Sequence, residues 1–182
     1  MKVFLSKCML RIAGWRKGPM GEYVPKCVIC VAPHTSNWDL VIGKLLYISL
    51  GRKAHFLIKK EWFFFPLNLF FKWIGGIPID RSVNASVTDQ MAKELGRRTS
   101  FHLAVTPEGT RKMAEEWKRG FYYIALKANV PILLAYIDYF KKEVGVKTLF
   151  YPTGNAEADI NAIRAYYAGV TARHPRNFSG NI

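Results

Sequence analysis

His34 and Asp39 stand five residues apart in the stretch Pro33-His34-Thr35-Ser36-Asn37-Trp38-Asp39. An imidazole held as N–H at one ring nitrogen by a carboxylate can take a proton at the other, which is the pairing a general base needs. Such a base contributes about 100- to 10,000-fold in rate. Five residues along an ideal helix leave a net rotation of about 140°, so the two side chains could not meet if both were helical. With His34 still in a loop and Asp39 in the first turn of a following helix, the ring can fold back onto the carboxylate. Asp39 alone reads as a helix cap and H-x-x-x-x-D arises often by chance, so the weight of the pair comes from the rest of the chain.

Two further segments carry groups of complementary chemistry. Pro107-Glu108-Gly109-Thr110-Arg111 contains a glycine where backbone can approach a ligand closely, and an arginine whose planar fork suits bidentate binding of phosphate. Gly75-Gly76-Ile77-Pro78-Ile79-Asp80-Arg81 ends on a second arginine. Either arginine loop taken singly reads as a solvated surface turn. Ser36, beside His34, reads as a helix N-cap rather than a nucleophile, and no G-x-S-x-G elbow occurs. Cys27 and Cys30 form a C-x-x-C with His34 beyond, but no second Cys/His pair stands at zinc-finger spacing. They read as small apolar residues of a buried strand, and no metal site is expected.

The elements that would position these groups alternate along the chain. Apolar, β-branched runs at 28–32, 54–58, 76–79, 101–105 and 130–136 read as strands, with 144–151 as an edge strand. Helical stretches fall at 40–50, 88–98, 117–128 and 156–170, the first opened by a capping-box-like Ser36 and Asp39. This alternation predicts an α/β fold, a single domain with a mostly parallel sheet flanked by helices. In such sheets, sites gather at the carboxyl ends of strands, which is where all three motif loops fall. Residues 1–20 read as a short N-terminal amphipathic helix with Phe4, Cys8, Ile12 and Trp15 at helical spacing, 21–172 as the domain, and 173–182 as a polar, basic and mobile tail.

Four ordered blocks here resemble the glycerolipid acyltransferases, whose best known members are the lysophosphatidate acyltransferases. They are His34 to Asp39, Gly75 to Arg81, Glu108 to Arg111 and the apolar Val130 to Ile132, spread over roughly residues 25 to 137. The resemblance implies an acyltransferase fold. It also implies that His34 takes the proton of an acceptor hydroxyl as that hydroxyl attacks the thioester of acyl-CoA or acyl carrier protein, with Asp39 orienting the histidine. Arg81 and Arg111 would grip the acceptor's anionic group, with Thr110 in the same loop. Glu108 would hold a hydroxyl or order the loop, and Gly109 would permit close approach. Lys59, before an aromatic stretch, resembles the family's basic element and would help neutralise the acceptor's phosphate. No metal or organic cofactor is implied, because the thioester already carries an activated acyl group. Lysophosphatidate is the default acceptor, giving phosphatidate in phospholipid biosynthesis, and another lyso-lipid such as a lyso amino-acid lipid is the alternative.

Composition agrees with such a partner. The 182 residues carry 27 basic and 13 acidic side chains for a formal charge of +14, while half are apolar and 14% aromatic. That balance suits an anionic surface, either nucleic acid or a membrane leaflet. No zinc finger, aromatic RNA-binding pair or recognition helix is legible, so nucleic acid is not expected and a non-catalytic binder of anionic membranes remains the rival from another class. Trp62 to Trp73 holds seven aromatics in twelve residues, suited to a lipid interface where tryptophan and lysine anchor. No charge-free run reaches the roughly 18 to 20 residues that span a bilayer, and Lys7 and Arg11 interrupt any signal-like core. Three cysteines fit a reducing compartment. The expected location is peripheral, on the cytoplasmic face of the cell membrane.

Overall fold

A computed structural model of the chain describes residues 1–80 and 86–178. The described residues form one seven-stranded sheet. The strands are β1 (Arg16–Lys17), β2 (Lys26–Val31), β3 (His55–Lys59), β4 (Gly76–Ile79), β5 (Phe101–Val105), β6 (Ile132–Asp138) and β7 (Glu143–Phe150). Their spatial order is β1-β7-β6-β2-β5-β3-β4, and every pairing is parallel except β6 with β7. The helices are α1 (Lys2–Ile12), α2 (Asn37–Ser49), α3 (Leu67–Trp73), α4 (Val87–Arg97), α5 (Gly120–Ala128) and α6 (Ala156–Ala165).

β2 is the central strand, and its sequence Cys27-Val28-Ile29-Cys30 is buried on both faces, as a strand covered by helices on each side must be. Alternate residues feed different halves of the core. Val28 and Cys30 join Leu103, Phe121, Tyr122 and Tyr167 on one face, while Cys27 and Ile29 join Tyr47, Leu133 and Val146 on the other. The two thiols of the C-x-x-C therefore point to opposite sides of the sheet and cannot share a ligand. Burial pushes both up to about 12, so they are protonated core residues.

Several boundaries differ from the sequence reading for local reasons. β7 is not an edge strand, because the two-residue β1 pairs alongside it in parallel. α6 stops at Ala165 rather than 170, and the chain turns at Gly169, where φ is +73°. α1 buries Ser6 and Leu10, so the Phe4 and Ile12 of the expected apolar stripe face outward, Ile12 being 88% exposed. Leu10 and Trp15 meet Ile42 and Leu46 of α2 and Ile137 and Val144 of the sheet. Among the described residues, no helix is long and apolar enough to cross a membrane.

Candidate active site

The order of the sheet brings the two principal motif loops together. β2 and β5 are neighbours with Val28 opposite Leu103, so the turn leaving β2 and the loop leaving β5 emerge side by side. At the first, His34 Nδ1 lies 3.2 Å from Asp39 Oδ2, in position to donate its proton there. Asp39 is the third residue of α2 and closes a capping box with Ser36: the Trp38 N–H donates to Ser36 Oγ at 3.2 Å, and the Ser36 N–H donates to Asp39 Oδ2 at 2.8 Å. One carboxylate thus starts the helix and aims the histidine. The Thr35 N–H donates to the same oxygen at 2.9 Å, and the Tyr139 hydroxyl donates to Oδ1 at 2.7 Å.

Asp39 is 2% exposed. Burial acts to raise its pKa, but is outweighed by the hydrogen bonds from His34, Tyr139 and Ser36, so the carboxyl titrates below its usual range and stays ionised. Tyr139 moves the opposite way, raised by burial and then by the Asp39 charge, and keeps its proton to donate.

Glu108 is 3% exposed and reaches across from the second loop, both carboxylate oxygens accepting the His34 backbone N–H at 3.2 and 2.9 Å. It therefore fixes the main chain of the histidine rather than its ring. Burial pushes Glu108 up to about 8; the bond from His34 acts against this, and the nearby Asp39 charge adds to it. Gly109 follows with φ +65°, a left-handed conformation that favours glycine, and the Lys118 side chain lies against it. Thr110 and Arg111 are exposed. Thr110 Oγ1 accepts the Lys112 N–H at 3.2 Å, and the Arg111 guanidinium donates to Asn37 Oδ1 at the start of α2.

Arg81 falls outside the described residues. Lys59, at the end of β3, is exposed, and its ammonium makes no hydrogen bond or ion pair among the described residues, whereas Lys60 pairs with Asp80 at 2.8 Å. Among the described residues no cluster of three metal-ligating side chains occurs. Tyr139 is a site residue that the sequence reading missed. It sits 100 positions from Asp39, just past β6, and only the pairing of β6 with β2 brings it near.

From His34 and Asp39 a cavity of about 780 Å³ runs between α2 and the sheet, with apolar walls that include Val31, Leu40, Phe56, Ile74, Ala104 and Ile137. Gly43 lines it, and a Cβ there would meet nothing within 4 Å. Lys44 lies along the wall with its ammonium on the Ile74 carbonyl and 5.7 Å from the Phe56 ring centroid. The arrangement sets a His–Asp pair of the kind a general base requires at one end of an apolar cavity.

Among curated proteins none matches this sequence. Among solved structures, the 1-acyl-sn-glycerophosphate (LPA) acyltransferase PlsC from Thermotoga maritima is similar, with a TM-score of 0.60 over 88% of this chain and 73% of that one. At 19% identity the likeness is one of fold. The sequence model of the Acyltransferase family matches residues 20–138, well over half of the chain and both motif loops, and the chain belongs to that family.

Proposed function

We propose that this protein transfers a fatty acyl group from the thioester of acyl-CoA or acyl carrier protein to the hydroxyl of a lysophospholipid, with lysophosphatidate as acceptor and phosphatidate as product. The observation that carries the reading is the His34–Asp39 pair at the end of an apolar cavity of about 780 Å³. The cavity takes the acyl chain, and the thioester carbonyl comes to rest beside His34 Nε2. That nitrogen removes the acceptor hydroxyl proton as the oxygen attacks the carbonyl carbon. The tetrahedral intermediate then expels the thiolate, which recovers the proton from the imidazolium. Asp39 holds Nδ1–H and offsets the positive charge that develops on the ring. No covalent enzyme intermediate and no cofactor are needed. Arg111 and Arg81 bind the acceptor's anionic group, with Lys59, Gly109 and Thr110 around it, and Glu108 keeps His34 in place. The similar Thermotoga maritima protein is a 1-acyl-sn-glycerophosphate acyltransferase, which supports the choice of acceptor.

The same reading sets the enzyme on the cytoplasmic face of a membrane, where a single-chain acceptor and a two-chain product both reside. Phe65 and Trp73 are 79% and 73% exposed, and Leu69, Phe70, Phe4 and Ile12 are exposed with them. Surface aromatics of this kind seat in the headgroup region, and each basic residue near an anionic leaflet adds about 1 kcal/mol.

The test is thiol release from long-chain acyl-CoA and acyl carrier protein, with and without lysophosphatidate, for the wild type and His34→Ala. Release that requires both the acceptor and His34 supports the reading. Undiminished turnover in His34→Ala would sink it, and release only with a different lyso-lipid would replace the acceptor.

A further inference from the structure

Residues 171–178 lie beyond the family-matched stretch, yet they bond to both motif loops of the site. Ala172 and Phe178 are buried in the core. The Tyr139 N–H donates to the Thr171 carbonyl at 2.9 Å, and the His174 N–H donates to Thr35 Oγ1 at 3.1 Å, one residue past the base. Asn177 Nδ2 donates to the Arg111 carbonyl at 3.1 Å. The expected free tail is, as far as Phe178, a strap tied to both motif loops.

This strap presents Arg173. Its guanidinium carbon lies 5.7 Å from the Trp38 ring centroid and 5.9 Å from that of Tyr139, so two aromatic faces hold the cation without neutralising it. On the neighbouring residue, Asn37, sits the Arg111 guanidinium. Among the described residues, no carboxylate stands within ion-pair distance of either arginine. The first two residues of α2 are therefore flanked by two guanidinium groups lacking counter-ions, directly beside the His34–Asp39 pair. Each offers five donors in a planar fork, matched to a group with several anionic oxygens.

We infer that Arg173 is a specificity-determining residue, which with Arg111 receives the terminal phosphate of the acceptor lipid and so favours a phosphomonoester over an uncharged headgroup. The inference rests on the acyl-transfer reading for its substrate but not for its anion. The cage of Trp38 and Tyr139 fixes the guanidinium in advance, so less freedom is lost when the phosphate arrives. The Tyr139 hydroxyl faces both partners, donating to Asp39 and meeting the Arg173 guanidinium, and so links the anion site to the His34–Asp39 pair.

The experiment compares lysophosphatidate with uncharged monoacylglycerol as acceptors in neutral detergent micelles, using the full chain. Arg173→Gln should lower kcat/KM for lysophosphatidate about 10- to 100-fold, chiefly through KM, as expected for losing one charge-assisted contact. Its preference for lysophosphatidate over monoacylglycerol should shrink by the same factor. Tyr139→Phe, which removes the hydroxyl shared by Asp39 and Arg173, should lower kcat for both acceptors, and Lys17→Gln, which removes a charge from the exposed β1, should leave the preference where it was. Binding of glycerol 3-phosphate, followed by phosphorus NMR, is measured in parallel. An Arg173→Gln enzyme with wild-type preference and wild-type glycerol 3-phosphate binding overturns the inference. Fragment binding that depends on Arg173 in a wild type that acylates neither lipid keeps the anion site and discards the acyl-transfer reading instead.

Discussion

The turn around His34 and the aromatic stretch around α3 are built in opposite ways. At the turn, Asp39 alone accepts bonds from His34, Thr35, Ser36 and Tyr139, and Glu108 locks the main chain from behind. Around α3, Trp62, Phe64, Phe65, Leu69, Phe70 and Trp73 lie exposed, and no residue of the helix is buried. The difference teaches where each kind of specificity resides. Proton transfer needs atoms held to within a fraction of an ångström, which a satisfied buried network provides. Contact with a fluid surface needs only apolar area and charge, which a loosely packed face supplies.

The comparison breaks most sharply at Asp39. Asp39→Ala removes the orienting carboxylate and strands the buried Thr35 and Ser36 N–H groups. It should therefore lose about 100- to 10,000-fold in kcat and also about 2 kcal/mol of stability or more. His34→Ala should lose comparable activity with a far smaller shift in Tm, and equal destabilisation of the two variants would contradict the division of labour. Kinetics paired with thermal melts reads both.

Glu108 offers the next largest effect. Its carboxyl, near 4.5 in an unfolded chain, is raised to about 8 by burial, so the folded state binds more protons between those values. Stability should accordingly fall as pH rises from about 4.5 to about 8 and level off above. Glu108→Gln keeps an acceptor for the His34 N–H and cannot ionise, so its melting temperature should lose that slope. A slope that persists in the variant would assign it to another group.

On the α3 side, replacing Phe65 and Trp73 with serine should weaken partition onto anionic vesicles by about 10- to 100-fold each, from the apolar area no longer seated in lipid. The folded protein should change by no more than about 0.5 kcal/mol, because both side chains are largely exposed. Sedimentation with vesicles measures the first and denaturant melts the second; a large loss of stability would mean that these aromatics are core after all. The smallest effects are expected at Gly43, within α2. Gly43→Ala should stabilise the helix by about 0.5 to 1 kcal/mol, and Gly43→Leu, filling open cavity, should shift the preferred acyl chain to a shorter one.

Much of this architecture was legible along the chain because the strands are short apolar runs bounded by turns. Phe101 to Val105 and Gly76 to Ile79 appear in the structure with the very limits that their patterning implies. The pairing of His34 with Asp39 was legible because its reach spans a single turn. Tyr139 and Arg173 were not, since their proximity to Trp38 and Asp39 depends on which strands become neighbours, and no local pattern encodes that. α3 escaped assignment for another reason: when nearly every residue from Trp62 to Trp73 is apolar, no period distinguishes helix from strand. The burial of Glu108 was hidden too, because a glutamate in a Gly-Thr-Arg loop reads as solvated until the neighbouring loop is seen to cover it.

The central position of β2 has a bearing on how the molecule assembles. β6 and β7 form a hairpin whose partners are near in sequence, whereas Val28 of β2 must find Leu103 on one side and Ile132 on the other, 75 and 104 residues further along. Closing such long loops delays these contacts relative to the hairpin. The strand that ends at the base is thus among the last to be locked. A refolding chain should regain its hairpin before the turn that carries His34, so that a partly folded molecule exposes an unpaired central strand while His34 and Asp39 are still apart.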